Sequence, residues 1–221
     1  LKLCVLVKNP REMKYRISRD FPNVEVRGRF DFLAIGRALR SSRALVFGGG
    51  SLLQDDTSTK SLLYYLYLLN KAKKLGINTV LYANGIGPVN NPQNLERVRR
   101  TLNGITLMTF RDADSYELAK KLGTDQSRIH LTADEALTYA RHNPEATDAL
   151  RAAGKLPSGS YVCVNVRRWD KSSPSFPSEF GRVVGEFCKS RRLTPVFLVM
   201  EEEMDNEISG EIASLTGMEC V

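Results

Sequence analysis

Residues 44–76 read ALVFGGGSLLQDDTSTKSLLYYLYLLNKAKKLG. Ala44 to Phe47 is a continuous apolar run of strand length, the pattern of a parallel strand buried on both faces. Gly48, Gly49 and Gly50 interrupt it, and Ser51 to Asp55 (SLLQD) follow. Helical periodicity then runs from about Thr59 to Leu75, with Leu62, Leu66, Leu69, Ala72 and Leu75 on one stripe. Thr57 or Ser58 supplies an N-cap hydroxyl, and Gly76 ends the helix. Strand, glycine turn and amphipathic helix make one β/α unit, so the expectation for the chain is an α/β fold.

The same alternation extends in both directions. Leu3 to Val7, Thr79 to Ala83, Thr106 to Phe110 and Arg128 to Ala133 read as strands, and Leu95 to Leu102 as a helix. Asp112 caps a further helix that ends at Gly123, with Ser115 and Glu117 in its first turn. From Asn143 to Ser160 the chain is polar and proline-bearing, which marks a domain boundary. A second series follows: strand Tyr161 to Val166, helix Ser178 to Arg192, strand Pro195 to Met200 and helix Glu203 to Leu215. The closing MECV reads as the start of another strand. We therefore expect two Rossmann-like domains, residues 1–150 and 151–221, the second incomplete, with ligands in the cleft between them.

Composition narrows the partners. Among 221 residues, 32 Lys plus Arg face 25 Asp plus Glu, a net charge of +7 that favours phosphorylated metabolites, nucleic acid or an anionic membrane surface. Ordinary solvated charge accounts for it equally well. Nucleic acid is disfavoured, because the basic residues are scattered and no recognised binding motif is present. No apolar run reaches the ~18 residues of a membrane span. Cys4, Cys163, Cys188 and Cys220 lie far apart without CxxC spacing, which suits a reducing cytosol better than a disulfide framework. His130 reads as structural and His142 as solvated, so neither a zinc site nor a histidine-centred triad is expected. The chain opens on LKLCVLV, without Met and already inside a strand, which leaves a leader segment open.

Four strand ends carry the candidate chemistry. Gly48-Gly49-Gly50-Ser51 has neither P-loop nor GxGxxG spacing, and is either a tight packing turn or an anion-binding loop before a helix. Asn84-Gly85-Ile86-Gly87-Pro88 presents an amide at a strand tip, or is a plain turn. Arg111, in Phe110-Arg111-Asp112, stands beside a helix N-terminus. It either binds a phosphate or carboxylate, or pairs with Asp112 or Asp134. Asp134 is a cap or a polar site group. In the second domain, Arg167, Arg168 and the single Trp, Trp169, either bind a phosphate and stack on a sugar ring or form a surface pair beside a core aromatic.

These runs, LVFGGGSLLQDDTSTKSLLYYL, LYANGIGP, FRDADSYELAKKLG and HLTADEAL in this order, with VNVRRWD at the start of the second domain, closely resemble polysaccharide pyruvyl transferases of the CsaB type. The resemblance covers essentially the whole chain, and implies a glycosyltransferase-B-like architecture. It implies transfer of the enolpyruvyl unit of phosphoenolpyruvate to the 4- and 6-hydroxyls of N-acetylmannosamine, forming a ketal and releasing phosphate. The acceptor would be a lipid-linked precursor of a secondary cell-wall polymer, and the ketal the charge that S-layer proteins recognise. It implies no metal and no organic cofactor. The location would be cytoplasmic, with peripheral contact at the inner membrane face.

Arg111 matches the arginine of the family's FRD motif and is the expected phosphoenolpyruvate anchor and catalytic residue. Gly49, Gly50, Ser51, Gln54, Asp55, Asn84 and Gly85 would bind substrate on the first domain, and Arg167, Arg168 and Trp169 on the second. Family members also carry a glycine-rich strand–loop motif before what is residue 1 here, and a histidine motif beyond residue 221. The expectation is thus a chain truncated at both ends and lacking the acid–base group. Two other readings stay open: a sugar-nucleotide-dependent glycosyltransferase of the same fold, and a non-catalytic glycan-binding module.

Overall fold

The computed structural model describes residues 2–138, 143–169 and 172–221. His142 lies outside the described residues. The chain divides into two compact units, Leu1–Ala140 and Arg141–Val221.

The first unit runs β1 (Leu3–Val7), α1 (Pro10–Ile17), β2 (Val24–Gly28), α2 (Phe32–Arg40), β3 (Ala44–Phe47), β4 (Gly50–Leu53), α3 (Thr59–Lys74), β5 (Asn78–Ile86), α4 (Pro92–Leu102), β6 (Leu107–Phe110), α5 (Ala113–Lys121) and β7 (Ile129–Leu131). Its main sheet is parallel in the order β3-β5-β6-β7. β1 and β2 form a separate parallel pair. The helix caps follow the sequence: Ser58 accepts from Ser61 N, Asp112 from Ser115 N, and Asn91 from Gln93 N and Asn94 N. Leu62, Leu66, Leu69 and Ala72 of α3 are buried against Leu81, Met108 and Phe110 of the sheet. Each such buried leucine contributes about 1.5–3 kcal/mol relative to exposure.

Two elements differ from the sequence expectation. Gly50–Leu53 is not a loop leading into a helix. It is a strand that pairs with the far end of β5, Gly50 opposite Asn84 and Leu53 opposite Ile86. β3 and β4 thus lie one after the other along β5, and the break between them is Gly48-Gly49. β5 in turn continues through Asn84 and Gly85 to Ile86, so these residues belong to a strand and not to a turn. The irregular register and the positive φ of Ala83 (50°) absorb the break opposite. Gly48 and Gly49 therefore stand between two strands, and no helix N-terminus adjoins Ser51. Helix α3 begins only at Thr59.

The second unit holds α6 (Pro144–Ala152), β8 (Tyr161–Val164), α7 (Phe176–Arg191), β9 (Thr194–Phe197) and α8 (Glu202–Leu215). Helix α6 occupies part of the polar stretch read as a boundary, with Asn143 as its cap. β8 and β9 pair in parallel, and Val221 exchanges backbone hydrogen bonds with Pro195 and Phe197 on the far side of β9. Gly181 and Gly185 of α7 lie against the backbone of α8 and its C-cap.

Candidate active site

Ligands of open parallel sheets bind where strands end at their carboxyl sides. In the first unit the ends of β5, β6 and β7 and the break between β3 and β4 meet at one group of polar side chains. Arg111, directly after β6, is its centre. One terminal nitrogen donates to Asp134 Oδ2 at 2.5 Å, and the other to Ser51 Oγ at 3.3 Å. The arginine keeps about a third of its side chain exposed (31%), so part of the guanidinium fork still faces solvent.

The neighbouring carboxylates have distinct tasks. Asp134 accepts from Ala136 N through Oδ1 and from Arg111 through Oδ2. These two bonds, the backbone one first, hold its carboxyl below the usual range. The sequence left it as cap or site group; it caps the following turn and also pairs with Arg111. Asp112 caps α5 through Oδ1, and Ser115 of that helix receives Ile86 N, tying α5 to the end of β5.

Two glycines make room for this group. A Cβ on Gly85 would lie 2.5 Å from Ser51 Oγ and 3.5 Å from Asp112 Oδ2. A Cβ on Gly49 would lie 1.9 Å from Glu135 Oε1 and 2.6 Å from its Cδ. Glu135 therefore rests against the glycine break itself. Its Oε2 is buried and has no hydrogen-bond partner among the described residues. Glu135 was missed by the sequence reading. The only signal was an acidic residue just after a strand, in HLTADEAL, and its approach to Gly49 is a tertiary fact.

Gly49, Ser51, Gly85 and Arg111 are thus brought together, with Gly50 opening β4 beside them. Asn84 is fully buried beneath. Its amide nitrogen donates to Gly48 O at 3.0 Å, Tyr82 O at 3.2 Å and Phe47 O at 3.4 Å, so it acts on the glycine break and does not reach solvent. Gln54 bonds Thr57 through both ends of its amide. Asp55 accepts from Asn94 Nδ2, Asn90 N and Asn91 N, which lowers its carboxyl's affinity for a proton, the Asn94 bond first. Both are committed to shaping their loops.

In the second unit Arg167 forks onto buried Asp205 at 2.7 and 3.2 Å, and Asp205 also accepts from Met200 N and Glu201 N. Arg168 reaches Glu211 at 3.1 Å. Arg168 and Trp169, which is about half exposed, line a cavity of about 420 Å³ together with Ser172, Ser173 and Phe176. Among the described residues, no group of His, Cys, Asp and Glu is arranged to hold a metal ion. Among them, too, no helix is long and apolar enough to cross a membrane.

A profile of the polysaccharide pyruvyl transferases matches residues 5–217, nearly the whole chain. The chain belongs to the polysaccharide pyruvyl transferase family. No curated protein matches it individually. Solved structures resemble it in fold. The UDP-GlcNAc 2-epimerase of Neisseria meningitidis, solved with UDP-GlcNAc, superposes with a TM-score of 0.54 at 13% identity, over 100% of this chain and 63% of that one. Anabaena HepE, solved with UDP and glucose, superposes with a TM-score of 0.51 at 12% identity, over 96% of this chain and 58% of that one. The chain thus spans about three fifths of the length of these structures. At such identities the likeness is one of fold: α/β, with parallel Rossmann-like sheets of the glycosyltransferase-B kind.

Proposed function

We propose that the protein is a pyruvyl transferase of the CsaB type. It would move the enolpyruvyl unit of phosphoenolpyruvate onto two hydroxyls of a cell-wall saccharide, the 4- and 6-hydroxyls of N-acetylmannosamine, with release of phosphate. The observation that carries this reading is the position of Arg111, a half-open guanidinium at a strand tip, oriented on one side by Asp134 and on the other by Ser51. Phosphoenolpyruvate carries a phosphate and a carboxylate, and a planar fork held in place is suited to either group.

Asp134 fixes the fork, and Ser51 lies at the border between the donor anion and the acceptor. The glycine break makes room for the Glu135 carboxylate on the side where the saccharide would approach. Trp169, with Ser172 and Ser173 beside it, has the amphipathic character of a sugar-stacking surface in the second unit. A lipid-linked acceptor, cytoplasmic location and peripheral membrane contact are part of the same proposal.

The test is product analysis. The full-length protein, incubated with phosphoenolpyruvate and a β-N-acetylmannosaminide acceptor, should release inorganic phosphate together with a pyruvate ketal detected by mass spectrometry. Release of free nucleotide from UDP-sugars, with phosphoenolpyruvate left intact, would favour a glycosyltransferase instead.

A further inference from the structure

We propose that Glu135 takes the proton from the attacking acceptor hydroxyl. The inference rests on the pyruvyl transfer proposed above and names the group that would serve its first bond-forming step. Three carboxylates stand just beyond the ends of β6 and β7, Asp112, Asp134 and Glu135, and the first two make hydrogen bonds. Both oxygens of Asp134 are hydrogen-bonded, one by the guanidinium and one by a backbone N–H. Asp112 caps α5. Glu135 alone of the three has a buried oxygen, Oε2, that accepts from no group among the described residues.

A buried carboxylate oxygen left without a donor is costly to keep, and such atoms call for an explanation. Here the position is built and not incidental. Glu135 Oε1 occupies the space that any side chain at residue 49 would fill. The carboxylate is thereby set against the glycine break, two residues from Ser51, which touches Arg111. With a donor held by Arg111, a hydroxyl approaching the glycine break would meet Glu135 Oε1, the oxygen set against Gly49, while Oε2 lies buried behind it.

The step balances as follows. The acceptor oxygen forms its bond to C2 of phosphoenolpyruvate while the C2=C3 electron pair takes a proton at C3 from an acid in exchange with solvent. The hydroxyl's own proton passes to Glu135, which returns it to water. The second hydroxyl then bonds to C2, the C2–O bond to phosphate breaks with its electron pair, and the second hydroxyl's proton leaves with the phosphate.

Glu135→Gln keeps the shape and removes the base. Positioned proton transfer is worth roughly a hundred- to ten-thousandfold. Turnover by the full-length protein should therefore fall at least about a hundredfold, with the dissociation constants for phosphoenolpyruvate and acceptor unchanged. In Glu135→Ala, added formate should restore turnover in proportion to its concentration, which a packing role would not produce. Glu135→Gln turning over within threefold of the unsubstituted enzyme, or a defect confined to affinity and deaf to formate, would overturn the inference and leave the pyruvyl transfer standing. No ketal from the unsubstituted enzyme would overturn both.

Discussion

Arg111 and Asp134 form a 2.5 Å ion pair that joins the ends of β6 and β7. The pair does not remove the arginine from the site. It aims the guanidinium, because a second nitrogen is directed to Ser51. Pairing with Asp134 and the proposed binding of an anion are thus compatible in one arrangement.

The role of Asp134 is therefore to position. Asp134→Ala should weaken phosphoenolpyruvate binding by about three- to tenfold, the scale of losing one orienting hydrogen bond of about 1 kcal/mol. The maximal rate should fall less than in Glu135→Gln. Steady-state kinetics with separate KM and kcat values check this.

Gly49→Ala places a methyl group on the Glu135 carboxylate, and the atoms it meets are the far end of a flexible side chain. Glu135 swings away, so activity should fall by an order of magnitude or more while the unfolding midpoint hardly moves. Paired activity and thermal-melt measurements separate the two effects.

Gly185→Ala should show the opposite pattern at the level of stability. Its methyl would lie 2.2 Å from the carbonyl oxygen of Thr216 and 3.0 Å from that carbonyl's carbon, backbone that cannot swing aside. Overpacking of this kind costs about 1–3 kcal/mol. Denaturant unfolding of the protein should register the loss.

Arg167, hydrogen-bonded first, and then the backbone N–H groups of Glu201 and Met200 hold the Asp205 carboxyl below its ordinary value. A depressed native pKa stabilises above the unfolded value of about 3.9, and that contribution is lost as pH falls from there through the native value. The pH dependence of unfolding below about 4 should therefore flatten in Asp205→Asn. Chemical denaturation at a series of acidic pH values measures it.

The elements that local chemistry specifies were legible. Leu3–Val7, the Ser58 and Asp112 caps and the α3 stripe lie where apolar period and capping residues put them. What escaped depends on partners distant in sequence. Gly50–Leu53 becomes a strand only because β5 has an irregular end to receive it. α1 was not anticipated, because it buries no residue and so carries no apolar stripe. Arg111 stands at its strand tip as read, and its ion pair with Asp134 was one of two readings left open. Asn84 looked like a surface amide but is buried, since the strand it tips runs two residues further. Glu135 could not be weighed without knowing that Gly49 faces it.

The most direct test of the account is a calorimetric titration of phosphoenolpyruvate into the full-length protein, with Arg111→Ala and Glu135→Gln alongside. The account predicts saturable binding to the unsubstituted protein and to Glu135→Gln, and none to Arg111→Ala. Equal binding to Arg111→Ala, or no binding to any of the three, would contradict it.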